Sequence, residues 1–381
     1  MSVYLDCNAT TPVDPEVFNS MLEFFTTEYG NPGSRTHEYG SRARKAVEDA
    51  RNEIISALKL KVGDRVIFTS GATESNNQVL FGMEDYSHET GKNRIIISGI
   101  EHKSILEPAK VLKRRGFDVI KLKTEKNGTV CLSHLKEVLN DKTCLVSIMH
   151  VNNETSVIQP LPDVCEILKD SSAFLHTDSA QGFGKEIEML NNPRIDMISF
   201  SGHKIYGPKG IGALVLRRRG YNKIPLTPIL YGGGQEDGYR SGTLAVPLIV
   251  GLGKAVSIAY RDHSIREQKC LDFKKNVLAF IRKIGGTING DCKLTTCAGI
   301  NFSIPNVDSE AAMLALKGTI AISNGSACTS QNYTPSYVLT EMGLKNEIIR
   351  GALRLSWSHL TPDVNWETVY SKLKPFLKTG E

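Results

Sequence analysis

The chain of 381 residues has eight cysteines but no C-x-x-C pair: Cys7, Cys131, Cys144, Cys165, Cys270, Cys292, Cys297 and Cys328. Cys292 and Cys297 are close together, yet no histidine pair follows at a spacing that would complete a zinc site. No metal is expected, and most of the thiols read as small buried apolar residues of a reducing compartment. Long apolar runs are also missing. The longest, 246–258, is broken by Pro247 and Lys254, so no bilayer-spanning segment is expected. The first residues lack the charged-then-apolar pattern of a secretory signal. Together these absences set the expectation of a cytoplasmic protein with no membrane contact. There is no internal repeat and no low-complexity tract. The glycines at 207–212 and 232–234 lack the phosphate-loop spacing in which Lys is followed by Ser or Thr, so a nucleotide-binding reading is weak.

What is present is an ordinary globular composition, 40% apolar with a net charge of +5, enough for a sizeable core. The basic clusters Lys113-Arg114-Arg115 and Arg217-Arg218-Arg219 read as solvated faces or turns, and direct nucleic-acid binding is not expected. Asp14-Pro15 is a helix start, with Val17, Met21, Phe24 and Phe25 assigned to its buried face. From Arg65 onward apolar strands alternate with helical patterns. The strands are Val66–Phe68, Arg94–Ser98, Val119–Leu122, Cys144–Met149, Ala173–Thr177, Met197–Ser201 and Gly212–Leu216. Such alternation predicts a mainly parallel sheet covered by helices. The last two strands follow one another without a helix, so one of them is expected to be antiparallel. After Gly232 the pattern becomes helix-rich, then shifts to shorter elements. The expected organisation is a large α/β domain over 15–250 and a smaller α/β domain over 251–381, to which the segment 1–14 also belongs.

Ligands of open α/β sheets bind beyond the carboxyl ends of the strands, and here the polar residues gather there. Thr69-Ser-Gly-Ala-Thr-Glu74 leads into a helix start, which suits phosphate or a simple cap by Ser70 or Thr73. Other strand ends lead to Glu101-His-Lys103, His150-Val-Asn-Asn-Glu154, and Asp178 with Gln181. The central stretch is Ser199-Phe-Ser-Gly-His-Lys-Ile-Tyr-Gly-Pro-Lys-Gly210. Lys204, held there after an apolar strand, would lose water. Desolvation favours the neutral amine, a nucleophile towards carbonyls. A lysine, an acid for a pyridinium nitrogen, an imidazole to stack on a ring and a helix start for a phosphate suit pyridoxal phosphate.

These motifs, with Arg240-Ser-Gly-Thr243, resemble the NifS/IscS cysteine desulfurases, of the aspartate-aminotransferase-like (fold type I) pyridoxal-phosphate enzymes. The resemblance runs from Tyr4 to about Ser356, in the family's order. It implies that Lys204 carries pyridoxal 5'-phosphate, that Asp178 pairs with its ring nitrogen and that His102 stacks on the ring and moves protons. It implies contacts to the ring substituents from Gln181 and Asn153, and to the phosphate from Ala72, Thr73, Ser201 and His203. Thr243 would reach the phosphate of the neighbouring subunit of a homodimer. Asn31 and Arg354 would bind the carboxylate of L-cysteine. The Gly/Ser/Ala-rich stretch around Cys328, followed by Thr-Ser, resembles the first desulfurase group, although Asn324 stands where the family more often has Ser. It implies a catalytic thiolate that takes the substrate sulfur as a persulfide, leaving L-alanine, and hands it to a sulfur-acceptor protein. Iron–sulfur assembly, tRNA thiolation, thiamine synthesis and DNA phosphorothioation are all open destinations. Many housekeeping members extend beyond the point where this chain stops, Glu381, so a dedicated acceptor is expected. Alternatives at this point are a selenocysteine lyase, an aminotransferase, or a non-catalytic sulfur-relay scaffold.

Overall fold

The computed structural model describes residues 2–220, 222–324 and 335–377. In chain order its strands are β1 (Val3–Tyr4), β2 (Arg65–Thr69), β3 (Arg94–Ser98), β4 (Asp118–Leu122), β5 (Thr143–Ser147), β6 (Phe174–Asp178), β7 (Met197–Ser201), β8 (Gly212–Leu216), β9 (Thr287–Ile288), β10 (Gly299–Ser303), β11 (Ile320–Ala321) and β12 (Ala352–Ser356). Strands β2 to β8 form one seven-stranded sheet in the order β2-β8-β7-β6-β5-β3-β4. All neighbours from β7 to β4 are parallel, while β8 is antiparallel to both β2 and β7. The expected antiparallel strand is therefore β8. Near-continuous apolar strands such as Ile95-Ile96-Ile97 are buried on both faces, as helix cover on each side requires.

Helix α1 (Pro15–Thr26) starts as anticipated, with the Asp14 carboxylate accepting from the Glu16 N–H. Val17 and Met21 are buried and Phe24 is half-buried, but Phe25 is 59% exposed. At about 100° per residue, Phe25 falls with Phe18 and Leu22 on the adjacent face. Helix α2 (Glu38–Ala57) packs on the same core. Two further sheets lie outside the large one: β1 with β11 in parallel, and β12-β10-β9 antiparallel. Their core includes Leu5, Phe302, Leu353 and Trp357. Among the described residues no helix is long and apolar enough to cross a membrane.

In the 217–219 basic cluster only Arg218 is exposed; the two flanking arginines are held in the fold. Arg217 is buried and donates to the carbonyls of Asn192, Ile195, Leu190 and Leu58. Arg219 grips Asp196 through two bonds of 2.6 and 2.7 Å. Arg217 and Arg219 thus tie the end of β8 to the loop before β7, a structural use of guanidinium donors.

Gly212 fixes the distance between the two strand ends that carry the central motifs, being paired with Thr69 on one side and Ser201 on the other. A Cβ there would collide with the Phe200 carbonyl oxygen and lie 2.6 Å from Gly71 Cα. Both obstacles are backbone. Gly212→Ala is expected to destabilise the protein by about 2–3 kcal/mol, read as a lower urea midpoint with an unchanged slope.

Glu101 follows β3 and is fully buried; its Oε1 accepts from Ser98 Oγ (2.7 Å) and Met149 N (2.6 Å). Burial pushes its carboxyl up to about 8, against the lowering by Ser98 and with a smaller push from Asp178. A raised carboxyl contributes stability below the unfolded value near 4.5 that is lost as pH climbs towards 8. Thermal unfolding of the wild type should therefore fall between pH 5 and pH 8 more steeply than that of Glu101→Gln. Parallel pH profiles would show that burial does not shift this group.

Candidate active site

The strand β7 ends in a single turn, Gly202–Lys204, and Tyr206 then takes a left-handed φ of 66°. That conformation is held by Thr11 Oγ1, which accepts from the Tyr206 N–H at 3.0 Å. The turn aims Lys204 at the loop after β1. Lys204 Nζ donates to the carbonyl of Asn8 and, at 2.8 Å, to that of Ala9. Gln181 Nε2 donates to the same Asn8 oxygen at 2.8 Å. The Asn8 side chain in turn donates to the Asn153 carbonyl at 3.3 Å and to Ser156 Oγ at 3.1 Å. Lys204, Gln181 and Asn153 therefore converge on Asn8. The sequence marks residues 7–11 only as a loop, because a backbone carbonyl leaves no trace in residue type.

Asp178 ends β6 and is buried. One carboxylate oxygen accepts from Ala180 N at 2.9 Å and the other from Asn76 Nδ2 at 2.7 Å. Asn76, on α3 (Ala72–Gly82), also donates to Ser104 Oγ at 2.8 Å. Ser104 Oγ lies 2.8 Å from His102 Nδ1. After the short α4 (Glu84–Thr90), His102 caps α5 (Lys103–Arg114), accepting from the Ser104 N–H at 3.2 Å. Burial lowers the His102 pKa, with Asp178 acting the other way and Lys204 and Lys103 adding to the fall. A single chain of contacts thus joins His102 to Asp178.

Helix α3 opens after Gly71, whose φ is 152°, and no side chain of its own first turn caps it. The simple cap by Ser70 or Thr73 is not what forms. Instead Ser201 Oγ accepts from the Ala72 N–H at 2.7 Å. Ala9, Thr73, His203 and Lys209 complete a cavity of about 350 Å³ at this helix start. His203 Nδ1 lies 3.1 Å from Thr10 Oγ1, and burial brings its pKa down to about 4, helped by Lys204 and Lys209.

Arg354, on β12, is buried and reaches across to the large sheet. Its guanidinium donates to Asp6 Oδ1 at 2.6 Å and to the Asn153 carbonyl at 2.9 Å. Asp6 and Asn8 belong to this site, although residue type alone marks them only as strand and loop. Four buried polar atoms of the site residues placed above have no partner among the described residues: Arg354 Nε, Asn153 Oδ1, Gln181 Oε1 and Asn76 Oδ1. Asn31 and Thr243 are not brought to Lys204. They line a separate cavity of about 470 Å³ with Arg44 and Arg51, and Asn31 Oδ1 accepts from Gly33 N at 2.9 Å.

Cys328 lies outside the described residues. On one side, Ser323 and Arg354 exchange backbone bonds of 2.6 and 3.4 Å. On the other, Ser336 Oγ donates to Glu154 Oε2 at 2.5 Å and the Tyr337 hydroxyl to the Glu101 carbonyl at 2.6 Å. Burial pushes Glu154 up to about 7, against the lowering by Ser336 and Arg354.

Comparison with known proteins bears on the family and the fold. The model of the class-V aminotransferases matches residues 3–363. A cysteine desulfurase IscS of Rickettsia bellii is 43% identical over 366 residues, covering 95% of this chain and 88% of its own. A solved NifS-like protein superposes with a TM-score of 0.88 at 34% identity, over 99% of this chain and 98% of that one. SspA, solved in complex with cysteine, gives a TM-score of 0.81 at 35% identity over 95% and 100% of the two chains. The chain belongs to the class-V aminotransferase family and, within it, to the NifS/IscS-like cysteine desulfurases.

Proposed function

We propose that this protein is a pyridoxal-phosphate-dependent cysteine desulfurase. In the reaction, L-cysteine and the Cys328 thiol give L-alanine and a Cys328 persulfide. The substrate C–S bond breaks, an S–S bond forms, and the substrate carbon gains the hydrogen it needs to become a methyl group. The outer sulfur then passes to a thiol of an acceptor protein. The observation that carries this reading is the convergence of Lys204 and Gln181 on the Asn8 carbonyl, with Asp178 and His102 joined through Asn76 and Ser104.

The residues present fit the cofactor of this family. Two buried amide oxygens without a partner, Asn153 Oδ1 and Gln181 Oε1, are costly unless a polar ligand meets them. The start of α3, capped only from outside by Ser201 and lying beside His203 and Lys209, suits a phosphate group. When bound, pyridoxal phosphate supplies an electron sink for the pair released at the substrate Cα. Lys204 Nζ would hold the cofactor and would be the group to take the Cα proton. The Asp178 carboxylate would keep a proton on the ring nitrogen, and His102 would cover the ring. Asn153 and Gln181 would set the ring's position; Ala72, Thr73, Ser201 and His203 would hold the phosphate. Arg354, already tied to Asp6, would offer donors including its buried Nε–H to the substrate carboxylate. In sequence Cys328 falls between two segments anchored at this site, and its thiolate is the form that attacks sulfur.

In this reading residues 15–250 form the cofactor-holding domain, and 251–381 with 1–14 form the smaller one. Asn31 and Thr243, on the rim of a separate cavity, serve the site of a second copy in a homodimer. The apolar face of α1 left uncovered by its own chain, Phe18, Leu22 and Phe25, supports such a contact.

Incubated with L-cysteine, the purified protein should form alanine and Cys328 persulfide in step. Cys328→Ser should keep the cofactor absorbance and lose alanine turnover by about 100-fold or more. Sulfide release at full rate from that variant would remove Cys328 from the mechanism. A colourless protein that cannot be reconstituted with pyridoxal phosphate would favour the relay scaffold instead.

A further inference from the structure

We infer that Asn76 and Ser104 are a positioning pair that fixes neutral His102 with its ring proton on Nε2. The meaning of this for catalysis rests on the proposed function; the placement of the proton does not.

The direction of each hydrogen bond follows from what each group can give. A carboxylate oxygen only accepts, so Asp178 Oδ2 takes a hydrogen of the Asn76 amide at 2.7 Å. Turning that amide over would set its carbonyl oxygen against the carboxylate. The second hydrogen on Asn76 Nδ2 points to Ser104 Oγ at 2.8 Å. Ser104 Oγ, having accepted, has its own hydrogen left for His102 Nδ1 at 2.8 Å. The Ser104 backbone N–H is aimed at the same nitrogen, at 3.2 Å. Two donors on Nδ1 leave no room for a proton there. The neutral imidazole must carry its hydrogen on Nε2, at the opposite side of the ring.

The surroundings also favour the neutral imidazole. His102 sits at the N-terminus of a 12-residue helix, where the dipole disfavours a cation. Burial acts in the same direction, as do Lys204 and Lys103, and Asp178 alone among the charged groups acting on it favours protonation. His102 therefore meets the site as a neutral imidazole with an N–H donor at Nε2, while its basic lone pair, on Nδ1, is held by the two Ser104 donors. The Asp178 carboxylate, two side chains away, selects the tautomer, so the two groups proposed to frame the ring are set together. Neither Asn76 nor Ser104 need touch substrate.

The test is ¹⁵N NMR of the histidine-labelled full-length holoenzyme, with the His102 signals assigned by their absence in His102→Gln. Wild type should show an unprotonated, pyridine-like Nδ1 and a protonated, pyrrole-like Nε2. Ser104→Ala removes one donor from Nδ1 and should mix the two tautomers. It should also raise the imidazole titration midpoint by about half a unit to one unit, since a donor to the neutral form opposes protonation. Ser104→Thr, which keeps the hydroxyl, should restore the wild-type shifts. A pyrrole-like Nδ1 in the wild type, or shifts and midpoint unchanged in Ser104→Ala, overturns the positioning pair. Alanine formation from L-cysteine is assayed on the same wild-type preparation. Its absence would sink the desulfurase reading, while the nitrogen shifts would still decide where the proton sits.

Discussion

One backbone oxygen holds the site together. The carbonyl of Asn8 accepts from Lys204 and from Gln181, while the Asn8 side chain reaches Asn153. Those three partners come from three different strand ends of the large sheet. Asn8 itself belongs to a segment anchored elsewhere: β1 pairs with β11, Leu5 lies in the second core, and Cys7 N donates to the Ser356 carbonyl. Arg354 makes the same crossing in the other direction, from β12 to Asp6 and to Asn153. The two cores are thus joined at the place where the candidate catalytic groups meet. A shift of one sheet relative to the other would alter the lysine and the guanidinium together. Groups that must hold a small substrate in near-attack geometry benefit from such shared anchoring.

Around this joint, burial suppresses charge. Glu101 and Glu154 are pushed up to about 8 and about 7, and His150 and His176 are brought down to about 3, in each case chiefly by loss of water. Polar side chains that line the strand ends but stay neutral act as fixed dipoles. They surround the Arg354–Asp6 ion pair, which sits between the two cores. In a site of low dielectric, a few charges set among neutral hydrogen-bonding groups act more strongly than many charges would.

The sheet, its antiparallel strand and the polar strand ends could be read from the sequence, because apolar runs ending in Thr, His, Asn, Asp or Lys are visible one residue at a time. What could not be read acts through contacts that residue type does not announce. Asn8 works by its carbonyl. Asn76 reads as one more polar residue in a helix, yet its partners lie 28 and 102 positions away. Ser104 reads as a residue of a first helical turn, and only the fold shows its hydroxyl between an amide and an imidazole. Arg217 looks like part of a solvated cluster and proves to be buried, because its four carbonyl partners come from loops that fold back over the end of β8. Asn31 and Thr243 lie in family motifs, but a motif does not say where the fold puts them, here in a separate cavity.

The antiparallel strand explains why two motifs more than a hundred residues apart form one cradle. Because β8 opposes both β2 and β7, those two strands run the same way and end at the same edge of the sheet. Two strand spacings would hold their ends about 10 Å apart, too far for a direct hydrogen bond. The loop after β2 closes that gap by bending inward at Gly71, over the point where β8 begins. It can do so only because β8 begins with Gly212, where any side chain would meet backbone on both sides. The result is the 2.7 Å bond from Ala72 N to Ser201 Oγ, which sets the start of α3 against the turn that carries Lys204. A helix start and a lysine, neither of them a site alone, become one because a strand runs backwards and begins with glycine.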